Sequence, residues 1–273
     1  MRIAVTGAGG FIGHHLVNRL RRDGHSVRGL DIKRPEFEPT AADEFLEVDL
    51  AQPVSIARFL GCDRVFALAA DMGGMGYIGS GLHDADILRT NLLINLHTIE
   101  AARGACVPRL VYASSACVFP GYLQGIESSD GGRVLAERER ADPQHEKLAE
   151  GCAYPAEPDT DYGWEKLTTE RLLAAYVRER RLSGASVRFH NVMGPRGSWR
   201  GGREKAPAAI MRKVALAAVT GRRTIDVWGD GRAVRSYMHI DDCVEGLVRI
   251  MEDGFHGAVN LGSEEAITVD GLV

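Results

Sequence analysis

Short apolar runs alternate with longer amphipathic stretches through the first two thirds of the chain. Residues 3–6, 26–30, 45–48, 64–69, 109–113 and 185–190 have the length and composition of strands. Between them, residues 11–22, 84–103 and 162–181 repeat apolar positions at helical spacing. In the first of these, Ile12, Leu16 and Leu20 fall on one face. This alternation predicts parallel strands joined by crossover helices, an α/β fold with a Rossmann-type doubly wound parallel sheet. After Val192 the rhythm changes. Residues 194–202 read as a Gly- and Arg-rich loop, 205–220 as a helix and 224–228 as a strand. Gly229-Asp230-Gly231 reads as a turn, 239–252 as a helix and 258–261 as a strand. The expected division is a sheet domain over 1–192, with 236–255 returning to it, and a smaller C-terminal domain from 193–235 and 256–273. Residues 121–158 interrupt the alternation with a Ser/Gly cluster at 128–132, a charged run over 136–150, and Pro155 and Pro158. They read as a long surface insertion: a solvated loop with an exposed helix, or a lid.

Chemistry concentrates at the strand ends. Gly7, Gly10 and Gly13 lie where the first strand turns into the first helix, with Phe11 and Ile12 opening that helix. Glycines there permit close backbone approach to a pyrophosphate, and the helix N-terminus adds N–H donors. Asp31 ends the second strand, where a carboxylate accepts hydrogen bonds from ribose hydroxyls and repels a 2′-phosphate. This favours NAD, although Lys33 and Arg34 follow and would suit NADP. Asp49 and Leu50, after the third strand, are candidates to contact adenine. Tyr162 and Lys166 form a Y-x-x-x-K pair at a helix start, on one helix face. A neighbouring ammonium lowers a phenol's pKa, which would make Tyr162 a usable base for a sugar hydroxyl while hydride leaves to nicotinamide. Ser115 ends a strand upstream, beside the expected nicotinamide.

Composition narrows the classes. The 33 Lys and Arg against 37 Asp and Glu leave a net charge of −4, which argues against a general affinity for nucleic acid. The five cysteines have no C-x-x-C spacing, and His14, His15, His190 and His239 show no ligand spacing, so neither disulfides nor a metal is expected. No leader segment and no apolar run of membrane-spanning length is visible, and a cytoplasmic protein without membrane association is the expectation.

The glycine motif with Ser115, Tyr162 and Lys166 resembles the extended short-chain dehydrogenase/reductases, NAD-dependent epimerases and dehydratases of nucleotide-sugars. In that resemblance the three residues are catalytic, and Tyr162 and Lys166 also hold NAD. After Ser115 the dehydratases carry acidic residues; here stand Ala116 and Cys117. Several stretches resemble more specifically the GDP-mannose 3,5-epimerases. They are 69–77, containing Gly73, Gly74 and Met75; 113–117; 155–158; 188–191 with Gly194-Pro195; 199–207; and 228–236. The resemblance places an acid/base pair on Cys117 and Lys205. It implies substrate contacts from Gly73, Gly74, Met75, Asn191, Arg203, Lys205 and Arg235. The implied reaction is transient C4 oxidation by bound NAD, then epimerisation of GDP-mannose at C3 and C5 to GDP-L-galactose and/or GDP-L-gulose. A homodimer through the helices near 87–102 and 167–176 is implied as well. So are further substrate-domain residues beyond Val273. The alternatives are another NAD-dependent sugar-nucleotide 4-epimerase or dehydratase, and a non-catalytic NAD-binding module.

Overall fold

The computed structural model describes residues 1–124 and 148–273. Strands β1 (Arg2–Thr6), β2 (Ser26–Asp31), β3 (Glu44–Glu47), β4 (Arg64–Ala67), β5 (Arg109–Ser115) and β6 (Gly184–Phe189) form the central sheet together with β10 (Gly257–Leu261). The order is β10-β6-β5-β4-β1-β2-β3, and each neighbouring pair is parallel. This is the doubly wound order, with its topological switch between β1 and β4.

Side-chain alternation along these strands builds two cores. Ile3, Val5, Phe66, Val111 and Val187 face helices α1 (Phe11–Arg22) and α6 (Ile240–Asp253), meeting Leu16, Leu20, Val244 and Leu247. The intervening Ala4, Val65, Ala67, Leu110 and Tyr112 face the other way, towards α3 (Asp84–Gly104) and α4 (Asp161–Arg178), where they meet Ile99, Ala102 and Leu173. The period of two along each strand therefore accounts for helices on both faces.

Outside the central sheet lie α5 (Ala206–Thr220) and two short strand pairs: β7 (Val192–Met193) with β9 (Met238–His239), and β8 (Val234–Ser236) with β11 (Ala266–Thr268). The four-residue helices α2 (Met75–Ile78) and α7 (Val269–Leu272) complete the described α-helices. Two expectations need correction. Residues 257–261 do not belong to the smaller domain. They form β10, parallel to β6, because Val259 and Leu261 point to one face and pack on the first core. Residues 224–228 form no strand: the run finds no partner strand among the described residues, and Trp228 is 77% exposed.

Residues 125–147, with the Ser/Gly cluster and most of the charged run, lie outside the described residues. The flanks of the insertion are anchored, not free. Pro120 bridges Pro158, and Val118, Phe119 and Ala153 are buried against Leu167 of α4.

Candidate active site

The site lies at the C-terminal ends of the parallel strands. The turn from β1 into α1 is built on glycine. Gly7 has φ +72°, and a Cβ there would lie 2.8 Å from the backbone of Leu68 and Ala69. A Cβ on Gly13 would come 2.0 Å from the Gly7 carbonyl oxygen. The carbonyl end of β4 is drawn in from the other side, where Thr6 Oγ1 accepts the N–H groups of Leu68 and Ala69 at 3.1 and 3.3 Å. No side chain caps α1 at Gly10, so the N–H groups of its first turn remain open. Phe11 and Ile12 pack their side chains against the first core and leave this backbone facing outward. Asp31 ends β2 and accepts the Gly9 N–H at 2.9 Å and the Lys33 N–H at 3.1 Å. Burial raises the Asp31 carboxyl, and these backbone donors oppose the rise. Asp49 accepts the Ala51 N–H at 2.9 Å, and Leu50 is buried in the second core.

The reactive cluster forms where β5 meets the start of α4. Thr160 caps α4 by accepting the Gly163 N–H at 3.1 Å. A Cβ on Gly163 would lie 2.2 Å from the Cys117 carbonyl oxygen, so glycine lets the helix start press against the Cys117 turn. Ser115 Oγ accepts the Cys117 N–H at 3.2 Å, and its hydroxyl favours the charged forms of both the Tyr162 phenol and the Cys117 thiol. Lys166 is buried, its Nζ 5.0 Å from the Tyr112 ring centroid and 5.3 Å from that of Tyr162. Glu165 Oε1 lies 3.4 Å from the same nitrogen.

This arrangement reverses one expectation. The Tyr162 phenol is held well above its ordinary range, first by burial and then by the charge of Glu165. The carboxylate beside Lys166 offsets the ammonium whose field would have lowered it.

Lys205 is the N-cap of α5, held there by the Pro207 start of that helix, and is half-buried rather than an exposed helix lysine. Burial lowers its ammonium below the ordinary 10.5, and the field of Cys117 opposes that shift. Burial likewise raises the Cys117 thiol above 9, and Lys205 and Lys166 pull it back. The two groups are therefore close enough to tune each other.

The glycine-rich loop of residues 71–78 is clasped to the Lys205 segment. The Gly74 N–H donates to the Arg203 carbonyl at 3.0 Å, and a Cβ on Gly74 would meet the Glu204 carbonyl oxygen at 2.4 Å. Arg203 Nη1 donates to Asp71 Oδ1 at 2.6 Å, with its guanidinium 3.8 Å over the Tyr77 ring. Gly73 packs on Tyr77, and Met75 opens α2 half-exposed. Asn191, at φ +41°, donates to the Ser236 carbonyl at 3.1 Å. Arg235 donates to the Val234 carbonyl at 2.7 Å, and its field reaches Asp159 and Tyr237. Ser115, Cys117, Tyr162, Lys166 and Lys205 thus converge, whereas Arg203 is engaged by protein groups. Sequence reasoning missed Asp71, Tyr77 and Glu165. Only the last left a signal, a carboxylate inside the Y-x-x-x-K motif. Among the described residues no cluster of His, Cys, Asp and Glu is arranged to hold a metal, and no helix is long and apolar enough to cross a membrane.

Fold and site together define a Rossmann-type nucleotide-sugar enzyme. The chain belongs to the NAD dependent epimerase/dehydratase family, whose sequence profile matches residues 3–262. A GDP-mannose 3,5-epimerase of Arabidopsis thaliana is 41% identical over 273 residues, spanning 99% of this chain and 67% of that relative. The chain therefore covers about two thirds of that relative's length. Among solved structures, the UDP-glucose 4-epimerase of Thermotoga maritima, determined with UDP-glucose, superposes with a TM-score of 0.78. It is 26% identical and covers 100% of this chain and 80% of that one. The NAD complex of UDP-glucose 4-epimerase from Thermus thermophilus gives a TM-score of 0.73 at 26% identity, over 100% and 81% of the two chains.

The turn fits NAD: the uncapped α1 terminus, a cradle that a Cβ would fill, and the Asp31 carboxylate at the end of β2 beside it. Gly13→Ala is expected to cost about 1–3 kcal/mol of stability, because its methyl forces the Gly7 carbonyl aside. It should also abolish the rise in melting temperature that NAD produces. Thermal unfolding with and without NAD checks both effects, and an unchanged NAD-dependent rise contradicts the account.

Proposed function

We propose that this chain epimerises GDP-mannose at C3 and C5, with NAD held at the α1 turn. The reading is carried by the placement of Cys117, packed on Tyr162 with its carbonyl against Gly163, and of Lys205 at the N-cap of α5, in the segment clasped to the Gly74 loop. NAD, when bound, supplies reversible hydride acceptance at C4 of the sugar. Tyr162 moves the proton of the C4 hydroxyl, and Lys166 holds the nicotinamide ribose. A C–H next to a carbonyl is acidic enough for a thiolate to remove its proton, and Cys117 takes that role. Lys205 returns a proton to the opposite face; burial makes its ammonium readier to give one up. Negative charge develops on the C4 oxygen, for which Ser115 and Tyr162 supply hydroxyl donors. Gly73, Gly74 and Met75 border the sugar, and Asn191, Arg203 and Arg235 serve the rest of the substrate. A simple 4-epimerase has no use for the Cys117–Lys205 pair.

Proton NMR with GDP-mannose in D2O, without added NAD, tests the reading. Deuterium entering C3 and C5 is expected. Absence of exchange, also with NAD added, overturns it.

We also place a homodimer contact on the outer faces of α3 and α4, which pack side by side and leave Leu96 and Trp164 41% and 43% exposed. Sedimentation should show a dimer at micromolar concentration, and a monomer there removes this contact.

A further inference from the structure

The described residues contain one buried carboxylate next to the reactive cluster to which the proposed chemistry assigns no step. Glu165 is 0% exposed. Its Oε2 accepts from Asn95 Nδ2 at 3.1 Å, and the Asn91 amide favours its charged form. Its Oε1 makes no hydrogen bond and lies 3.4 Å from Lys166 Nζ. A buried carboxylate is costly unless a cation answers it. Lys166 is that cation, and it stands against the Tyr162 ring.

We infer that Glu165 is a positioning residue of the redox pair: its carboxylate anchors the Lys166 ammonium and offsets that charge at the Tyr162 phenol. The inference rests on the proposed role of Tyr162 and Lys166. The surrounding groups leave this pairing dominant. From α3 come neutral Asn91 and Asn95, and from β5 come Tyr112 and Ser115. Cys117 follows β5 and adds to the rise of the phenol. On α4, Glu170 is already matched by Arg188 at 2.7 Å, and Thr169 is neutral. Lys205 acts on Cys117. The consequence is a phenol that holds its proton more firmly than Lys166 alone would allow, which favours return of that proton to the C4 oxygen only after it has been taken from the C4 hydroxyl. Asn91 ties Asp71 of the glycine-rich loop, accepting its N–H at 2.6 Å and donating to its carbonyl at 2.9 Å.

The test places a difluorotyrosine, whose phenol titrates near neutrality, at position 162 and follows its titration by fluorine NMR. This readout needs no turnover, so it separates failure of this inference from failure of the epimerase reading. Glu165→Gln should lower the midpoint by about one pH unit or more, because the Lys166 charge is no longer offset. Glu165→Asp keeps the charge and should stay within about 0.3 unit. Should Glu165→Gln fail to fold, Lys166→Met is compared with Glu165→Gln/Lys166→Met, where the added substitution should again lower the midpoint by about a unit. In a turning-over enzyme the acid limb of kcat should move to lower pH in Glu165→Gln, with KM for GDP-mannose within about twofold. A midpoint unmoved by loss of the carboxylate in a folded variant overturns the inference.

Discussion

Cys117→Ala is expected to slow deuterium exchange at C3 and C5 of GDP-mannose by about 10²–10⁴-fold, the range lost with a positioned general base. Folding and NAD binding should be retained. The residue follows β5 in a tight turn fixed by the Ser115 hydroxyl, with α4 pressed against its carbonyl through Gly163. The turn is a backbone device, so an alanine side chain preserves it. Cys117→Ser should be nearly as slow, since a hydroxyl in the same place is a far weaker base at neutral pH. The pH profile carries the sign. Burial raises the thiol above its ordinary range, so its thiolate forms less readily than that of a free cysteine. Exchange in the wild type should therefore climb as pH rises through neutrality and fall as pH drops, and Cys117→Ala should lose the thiol's share of that dependence while the share set by Tyr162 remains. Lys205→Ala removes the cation that restrains the rise of the thiol and should cost a comparable factor. Exchange by Cys117→Ala within tenfold of wild type, read by NMR, would falsify the assignment of the base.

Much of this arrangement is legible without coordinates because it is local. The period of two in β1 and β5 gives two buried faces, and the glycine turn lies between a strand and a helix that spacing alone reveals. Ser115 and Cys117 belong to one strand end, and Tyr162 and Lys166 to one helix turn. What was not legible depends on tertiary partners. Sequence spacing assigns Glu165 no part, and only the packing of α3 on α4 removes it from water and sets its charge beside Lys166 and Tyr162. Arg203 reads as a free phosphate ligand until Asp71, remote in sequence, is brought to 2.6 Å. Residues 224–228 have a strand's composition but no neighbouring strand, whereas 257–261 acquire one from the open edge of β6.

The largest loss of stability should follow Glu170→Ala, about 3–5 kcal/mol, the usual cost of removing one partner of a buried ion pair. Glu170 on α4 is 6% exposed and accepts from Arg188 Nε at 2.9 Å and Nη2 at 2.7 Å, a two-pronged contact from near the C-terminal end of β6. Ser114 of β5 donates its hydroxyl to the same carboxylate at 2.5 Å. One side chain thus pins the catalytic helix to two adjacent strands. Arg188 carries the connection further, since its Nη1 donates to the Glu150 carbonyl at 2.8 Å and so secures the returning flank of the insertion. Alanine would leave Arg188 charged, 2% exposed and without its carboxylate, which is why the loss exceeds that of a surface pair. Replacing both partners by apolar residues, Glu170→Met with Arg188→Leu, should recover most of the loss, because no uncompensated charge is then buried. Yet that double variant also releases Ser114 and the Glu150 carbonyl, so its insertion flank should be cut sooner by protease than the wild type at equal melting temperature. Chemical denaturation of the two variants measures the first effect and limited proteolysis the second. A Glu170→Ala chain losing less than about 1 kcal/mol would mean that water reaches Arg188, and that α4 is held to the sheet by its apolar face alone.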